Sequence, residues 1–157
     1  MRPLEAGDLP RLVPLVQEME RHHGDPVPSA AAIEQAFGAL PAGVEILIAV
    51  AEDGAVIGLA SVSRQFPGIQ LSATLYLKDI FVAAAARRCG IARRLMRALA
   101  AMALARGCSR IDWRTARDND AARAFYERLG AAPWVEAVSY RLDGPALATL
   151  AAEAQHG

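Results

Sequence analysis

The sequence predicts an α/β fold in which a mixed β-sheet carries helices on both of its faces. Some segments repeat apolar residues at helical spacing, whereas others alternate them or run them together as strands do. These segments follow one another in the order βααβββαβαβ, which is typical of a sheet covered by helices. Because 157 residues suffice for one buried core, we expect a single domain over residues 1–157.

The chain is predicted to open with a short strand and a helix. Arg2–Leu4 is extended in pattern, and Asp8 is a plausible N-cap for a helix that runs to about Arg21. Pro14 falls inside this helix and should kink or shorten it, because proline lacks the backbone N–H that the helix requires.

A second helix and two strands follow. Ser29 could cap a helix through Phe37. Glu45–Glu52 and Ala55–Arg64 are strand-like, and the turn pair Asp53-Gly54 joins them as a hairpin.

The middle of the chain predicts a strand, a helix and another strand. The strand is Leu71–Val82, and the helix runs from about Gly90 to Arg106 with Gly107 at its C-terminal cap. Ile111–Thr115 is the next strand.

The last third is predicted to add a helix, then strands, then a short helix. Asp120–Leu129 is helical and ends at Gly130, and Trp134–Leu142 could supply one or two strands. The tail from Pro145 is predicted to be a short helix that frays.

Composition excludes several classes of protein. The 17 basic and 17 acidic residues cancel, which gives no electrostatic reason to expect nucleic acid or an anionic membrane as partner. The apolar runs are too short for a transmembrane span, and the N-terminus lacks a signal peptide, so we expect a cytoplasmic protein. Cys89 and Cys108 have no zinc-ligand companions, and we expect no metal site.

The strongest chemical signal is the segment between the third long strand and the following helix, Arg87-Arg88-Cys89-Gly90-Ile91-Ala92. A turn that opens a helix leaves several backbone N–H groups unpaired, and the helix dipole adds positive charge behind them. The small residues Gly90 and Ala92 allow close approach, and Arg87 or Arg88 supplies charge-assisted hydrogen bonds. The segment therefore predicts an anion site suited to a pyrophosphate.

Two motifs together resemble a known family. The pattern Arg-x-x-Gly-x-Ala at residues 87–92 resembles the CoA-pyrophosphate loop of the GNAT N-acetyltransferases. Residues 119–130, Asn-Asp-Ala-Ala-Arg-Ala-Phe-Tyr-Glu-Arg-Leu-Gly, are similar to that family's second signature. The resemblance is strong over about residues 75–131. A Rossmann-type nucleotide fold is the competing interpretation, but the Gly-x-Gly-x-x-Gly motif is absent.

The resemblance implies acetyl-CoA as the acetyl donor and a mostly antiparallel sheet in which two parallel strands, Leu71–Val82 and Ile111–Thr115, splay apart. The pantetheine arm would lie in that gap, and a free backbone N–H would bind the thioester oxygen. Asn119 would touch the CoA arm, although it also fits an ordinary helix N-cap. The implied contacts to acetyl-CoA are Ile80, Phe81, Val82, Arg87, Arg88, Cys89, Gly90, Ile91, Ala92, Asn119, Ala122 and Tyr126.

Tyr126 is the candidate general acid. The departing CoA thiolate needs a proton, which a phenol can donate. The competing interpretation is a packed aromatic beside Phe125, but Phe125 and Leu129 already form the i, i+4 pair expected to face the core, and Tyr126 is offset from that stripe.

Lys78 and Asp79 are the candidates for handling the acceptor. Residues 76–82 resemble polyamine and thialysine acetyltransferases, which commonly carry Glu where this chain has Lys78, its only lysine. A cation there argues against a polyamine and for an acceptor with a carboxylate near its amine. Lys78 could instead be a desolvated base or a solvated residue without a role. Asp79 remains as a carboxylate, and strand alternation predicts that it points to the opposite face.

Three functions stay open at this point. The chain could acetylate a small primary amine, it could acetylate a protein or peptide, or it could be a CoA-binding module without catalysis. Cys89 is interpreted as a packing residue, because no His or Asp partner lies near it in the sequence. Many relatives form homodimers, often through C-terminal strands, and Trp134–Leu142 is apolar enough to contribute to such an interface.

Overall fold

The computed structural model describes residues 1–153, except for the side chain of Ile69. The chain forms two compact units, one ending at Arg117 and the other beginning at Asp118. No helix among the described residues combines the length and the apolar character that crossing a bilayer requires.

The first unit is built on a five-stranded sheet whose spatial order follows the chain. The strands β1 to β4 are antiparallel to their neighbours, and β4 and β5 are parallel. The mixed, mostly antiparallel sheet is thereby confirmed. The strands are β1 (Arg2–Pro3), β2 (Val44–Val50), β3 (Val56–Gln65), β4 (Ala73–Val82) and β5 (Cys108–Trp113).

Helices cover both faces of this sheet, as predicted. On one face α1 (Leu9–His23) and α2 (Ala30–Gly38) pack in one cluster with Leu59 and Phe81. On the other face lies α3 (Ile91–Ala105). A Cβ added at Gly58 would come within 3.1 Å of Ile91, so a residue without a side chain lets this helix approach β3.

The start of α1 is fixed by a buried carboxylate. Asp8 is 1% exposed and accepts hydrogen bonds from the guanidinium groups of Arg2 and Arg11 and from the backbone N–H of Glu5. The hydrogen bond from Arg2, against the opposing effect of burial, lowers the pKa of Asp8 to about 2. The helix continues through Pro14 to His23, so the prediction that Pro14 shortens it was wrong, and the alternative of a kink stays a prediction. The single hydrogen bond that Pro14 removes is outweighed by the buried apolar face of α1.

The second unit contains the helices α4 (Asp120–Glu127) and α5 (Gly144–Glu153). The helix predicted from Pro145 is confirmed as far as Glu153, and residues 154–157 lie outside the described residues. The strands predicted at Trp134–Leu142 were wrong, because this segment has no regular secondary structure. Alternating apolar residues give a segment the capacity to form a strand, but a strand also needs a paired neighbour.

Candidate functional site

The strand β4 is paired on both sides in its first half and on one side in its second half. Its parallel pairing with β5 begins at Ala73 and ends at Leu77, which lies opposite Trp113. From Asp79 to Val82 the strand pairs only with β3 among the described residues. The edge of β4 that faces away from β3 therefore has no neighbouring strand over this half in the described part of the chain, which leaves backbone groups open to a ligand, except for the carbonyl oxygen of Val82, which accepts a hydrogen bond from Arg87.

A β-bulge lies where the two halves of β4 meet. Leu77 pairs with Val62 and Asp79 pairs with Ser61, so Lys78 is an extra residue without a partner on β3. A bulge interrupts strict alternation and redirects side chains. The prediction that Lys78 and Asp79 point to opposite faces was wrong, because their charged ends lie 4.0 Å apart.

The two charged side chains differ in their exposure. The side chain of Lys78 is 70% exposed and that of Asp79 is 34% exposed. Lys78 is therefore hydrated, which is not the environment of a desolvated lysine base. Both groups can reach a ligand that lies beside the bulge.

The segment between β4 and α3 forms the predicted N–H-rich loop. A single 3₁₀ turn at Ala84–Ala86 is followed by left-handed backbone at Arg88 (φ 63°) and Gly90 (φ 74°). Left-handed backbone costs a non-glycine residue about 1 kcal/mol or more, and such strain is concentrated at ligand-binding segments. The first intrahelical bond of α3 is donated by Arg94 to Gly90, which leaves the N–H groups of residues 91–93 without an intrahelical acceptor.

The loop is strongly cationic in an otherwise neutral chain. From residue 87 to residue 97 the sequence has five arginines and no acidic residue. The Nε of Arg87 donates to the carbonyl oxygen of Val82 at 3.2 Å, and its guanidinium lies 5.5 Å from the ring centroid of Phe81. Both contacts hold Arg87 at the end of β4, where it adds positive charge to the loop N–H groups.

The helix α1 holds this loop through a contact that the sequence did not reveal. The Oε1 of Glu18 accepts a hydrogen bond from the backbone N–H of Ala84 at 2.7 Å. The rings of His22 and His23 lie 5.7 and 6.4 Å from the ring of Phe81. The end of α1 thus fixes the turn that leads from β4 into the loop.

Several predicted contacts can act only through their backbone. Phe81 is 6% exposed and Ile91 is 4% exposed, so their side chains belong to the core.

Cys89 is exposed, and its interpretation as a packing residue was wrong, because the left-handed turns around it place the loop at the surface. Cys108 is buried.

The second unit positions the remaining candidates on α4. The Oδ1 of Asn119 accepts from the N–H of Ala122 at 3.1 Å, which confirms the N-cap interpretation. Tyr126 is half-buried, and its ring lies 5.3 Å from that of Phe125. Burial raises the pKa of the Tyr126 phenol above its usual 10.0, so this group carries its proton at neutral pH.

Comparisons with known proteins agree with this geometry. The model of the Acetyltransferase (GNAT) family matches residues 12–131. An L-ornithine N5-acetyltransferase of Arabidopsis thaliana is 33% identical over 95 residues, which are 60% of this chain and 42% of that protein. The chain therefore spans less than half the length of this relative.

Solved structures with the same fold include an integron cassette protein from the mobile metagenome of V. cholerae. It is 33% identical with a TM-score of 0.87, over 96% of this chain and 95% of that one. A ribosomal-protein-alanine N-acetyltransferase from Brucella melitensis shares the fold with a TM-score of 0.72 at 22% identity, over 88% and 96% of the two chains. Since the family model covers most of the sequence, this chain belongs to the acetyltransferase (GNAT) family.

Proposed function

We propose that the chain acts as one N-acetyltransferase domain that moves an acetyl group from acetyl-CoA to a small primary amine. The observation that carries the proposal is the free edge of β4, which runs directly into a cationic loop rich in unpaired N–H groups. A strand edge suits the amide groups of a pantetheine arm, and the loop suits a pyrophosphate.

The donor would be held by groups of both kinds. Backbone groups of residues 80–82 would pair with the arm, and the N–H groups of residues 88–93 would bind the pyrophosphate with help from Arg87 and Arg88. On α4, Asn119 and Ala122 would contact the arm. Acetyl-CoA supplies an acetyl group activated as a thioester.

In the transfer the acceptor nitrogen forms a bond to the acetyl carbon, and the bond from that carbon to sulfur breaks. A free N–H of residues 80–82 stabilises the negative charge on the thioester oxygen. The hydroxyl of Tyr126 donates its proton to the departing thiolate. Asp79 is the carboxylate at the bulge that takes up the proton that the acceptor ammonium loses before attack. The second proton, which the nitrogen loses as the amide forms, restores the hydroxyl of Tyr126.

The acceptor is proposed to carry a carboxylate as well as the reacting amine. Lys78 places a hydrated cation at the bulge, which favours an anionic group and disfavours a polyamine. A relative named as an L-ornithine N5-acetyltransferase supports this class, because ornithine is an amino acid with an amine on its side chain.

We also propose that the chain forms a homodimer through the Trp134–Leu142 segment. Val135 is 81% exposed, Val138 is 74% exposed and Tyr140 is 90% exposed. Exposed apolar residues grouped in this way are typical of interaction surfaces. A second copy of the chain is the occupant that we expect to cover them.

The proposal is tested by thiol release from acetyl-CoA with amino acids, polyamines, aminoglycosides and peptides as acceptors. We expect turnover with L-ornithine or a similar amino acid, and Tyr126→Phe should lower kcat about a hundredfold because the thiolate loses its proton donor. A general acid acts only while it is protonated, and burial raises the pKa of Tyr126 above its usual 10.0. In the wild type kcat should therefore not fall from loss of this proton below about pH 10.

Tyr140→Phe is the matched control, since it removes the same hydroxyl and keeps the apolar ring that the proposed interface uses, and it should leave kcat unchanged. Near-normal turnover by Tyr126→Phe across the pH range would exclude the general-acid role. Turnover with peptides alone would make the chain a peptide acetyltransferase, and tight acetyl-CoA binding without any turnover would make it a binding module.

A further inference from the structure

One face of the central strands changes from apolar to polar along its length. Register places Leu59 opposite Phe81, and both are buried against α1. The next positions on this face pair Ser61 with Asp79 and Ser63 with Tyr76. The opposite face of the same strands stays apolar at the corresponding positions, where Val62 pairs with Leu77 and both are buried.

We name Ser61, Ser63, Thr74 and Tyr76 the hydroxyl row, because all four project from this face of β3 and β4. Their hydroxyl groups have no hydrogen-bond partner among the described residues. Thr74 is 2% exposed and its Oγ1 is still unpartnered, whereas Ser61, Ser63 and Tyr76 are partly exposed. The buried Thr74 hydroxyl lies against Gly68, out of reach of a ligand, whereas the hydroxyl groups of Ser61, Ser63 and Tyr76 are partly exposed and unpaired within the described part of the chain, so they can hydrogen-bond a polar ligand.

The row continues toward β5 with fixed charges. Tyr76 lies opposite Asp112 in the parallel ladder, and Asp112 accepts a hydrogen bond from the Nε of Arg110 at 2.8 Å. At its other end the row meets Asp79 and Lys78 at the bulge. The surface therefore offers both signs of charge and several hydroxyl groups.

These groups select the chemistry of a ligand. A hydroxyl both donates and accepts hydrogen bonds, so a row of hydroxyls suits an ammonium and a carboxylate side by side. Ser61 and Ser63 are two positions apart on β3, which is about 7 Å along the strand. An acceptor whose reacting amine lies at Asp79 thus has its far end beside Ser63 and Tyr76.

We infer that the hydroxyl row binds the zwitterionic head of a free α-amino acid and so holds its side-chain amine at Asp79 for acetylation. This inference rests on the proposed function and narrows its acceptor to a diamino acid. It assigns Tyr76 and Ser63 to the head group and Ser61, the register partner of Asp79, to the end that holds the reacting amine. The positive charge of Lys78 favours an acceptor that also carries a carboxylate.

The test is steady-state kinetics with L-ornithine, with 5-aminopentanoate, which lacks the α-amine, and with 1,4-diaminobutane, which lacks the carboxylate. L-Ornithine should be the best acceptor of the three. Tyr76→Phe and Ser61→Ala should each raise the KM for L-ornithine about tenfold, as expected for a lost hydrogen bond to a charged group. The KM for acetyl-CoA should not change, and Tyr140→Phe should change neither constant.

Calorimetric binding of L-ornithine to the CoA complex separates failure of the inference from failure of the proposed function. If both variants acetylate L-ornithine with an unchanged KM, the hydroxyl row does not bind the acceptor, and the transferase proposal stays intact. Equal kcat/KM for L-ornithine and 5-aminopentanoate would show that the site does not recognise the α-amine, and this would overturn the inference of a zwitterionic head group. Binding of L-ornithine that depends on Tyr76 without any acetyl transfer would support the row and overturn the transferase proposal.

Discussion

The two halves of β4 differ in how much of their bonding capacity the protein itself uses. Residues 75–77 pair with both β3 and β5, and Leu75 and Leu77 are almost fully buried. Residues 79–82 pair with β3 alone, and the bulge at Lys78 separates the two halves. The start of β4 is thus held between two neighbouring strands, whereas its end has one neighbour and offers unpaired backbone groups to a ligand.

The difference shows how a stable sheet can present unpaired backbone groups. An edge within a sheet is a liability unless a ligand, a helix or a loop uses it. Here the firmly paired first half fixes the direction of the strand, and the free second half leads into the loop at Arg88 and Gly90. Binding capacity is therefore concentrated where pairing between strands stops.

The largest expected effect comes from a substitution in the paired half. Leu75→Ala should lower the free energy of unfolding by about 3 kcal/mol, because it leaves a cavity at a fully buried position. Lys78→Ala at the bulge should change it by less than about 0.5 kcal/mol, since that side chain is 70% exposed. Chemical denaturation measures the free energy of unfolding of both variants. A large decrease in Lys78→Ala would show that the bulge residue stabilises the fold.

A smaller effect is expected from reversing the charge at the bulge. Lys78→Glu should lower kcat/KM for L-ornithine about tenfold and raise it for 1,4-diaminobutane by a similar factor, because an anion now faces the acceptor. Steady-state kinetics with both acceptors measures the change. Lys78→Met is the control that removes the charge without reversing it, and an unchanged acceptor preference in Lys78→Glu would refute the charge argument.

The smallest effect is expected at the support of the loop. Glu18→Ala removes the acceptor for the N–H of Ala84 and should raise the KM for acetyl-CoA about threefold with kcat unchanged. Glu18→Gln keeps an acceptor oxygen and should restore most of the affinity. A fall in kcat with unchanged KM would mean that Glu18 acts elsewhere than on the loop.

The sequence predicted those features that depend on neighbours in the chain. The loop at Arg87–Ala92 and the caps at Ser29 and Asn119 follow from local backbone chemistry, and the structure forms all of them. The apolar periodicity of each segment predicted whether it forms a strand or a helix, because buried positions recur at different spacings in the two. The order of these elements then predicted a sheet with helices on both faces.

The remaining features depend on distant parts of the chain. The bulge at Lys78 arises from register against β3, and the Glu18 contact joins residues 66 positions apart. Neither leaves a local pattern. The strand prediction at Trp134–Leu142 failed for the opposite reason, because the pattern was present and a pairing strand was not.

Amide hydrogen exchange with and without saturating CoA tests most directly whether the free half of β4 and its loop bind the donor. We expect slower exchange at the unpaired amides of residues 80–82 and at residues 88–93, with no change at Leu47 and Ile48 of β2, which are already paired on both sides. Unchanged exchange at both segments while CoA is bound would contradict it, because the donor would then occupy another part of the molecule.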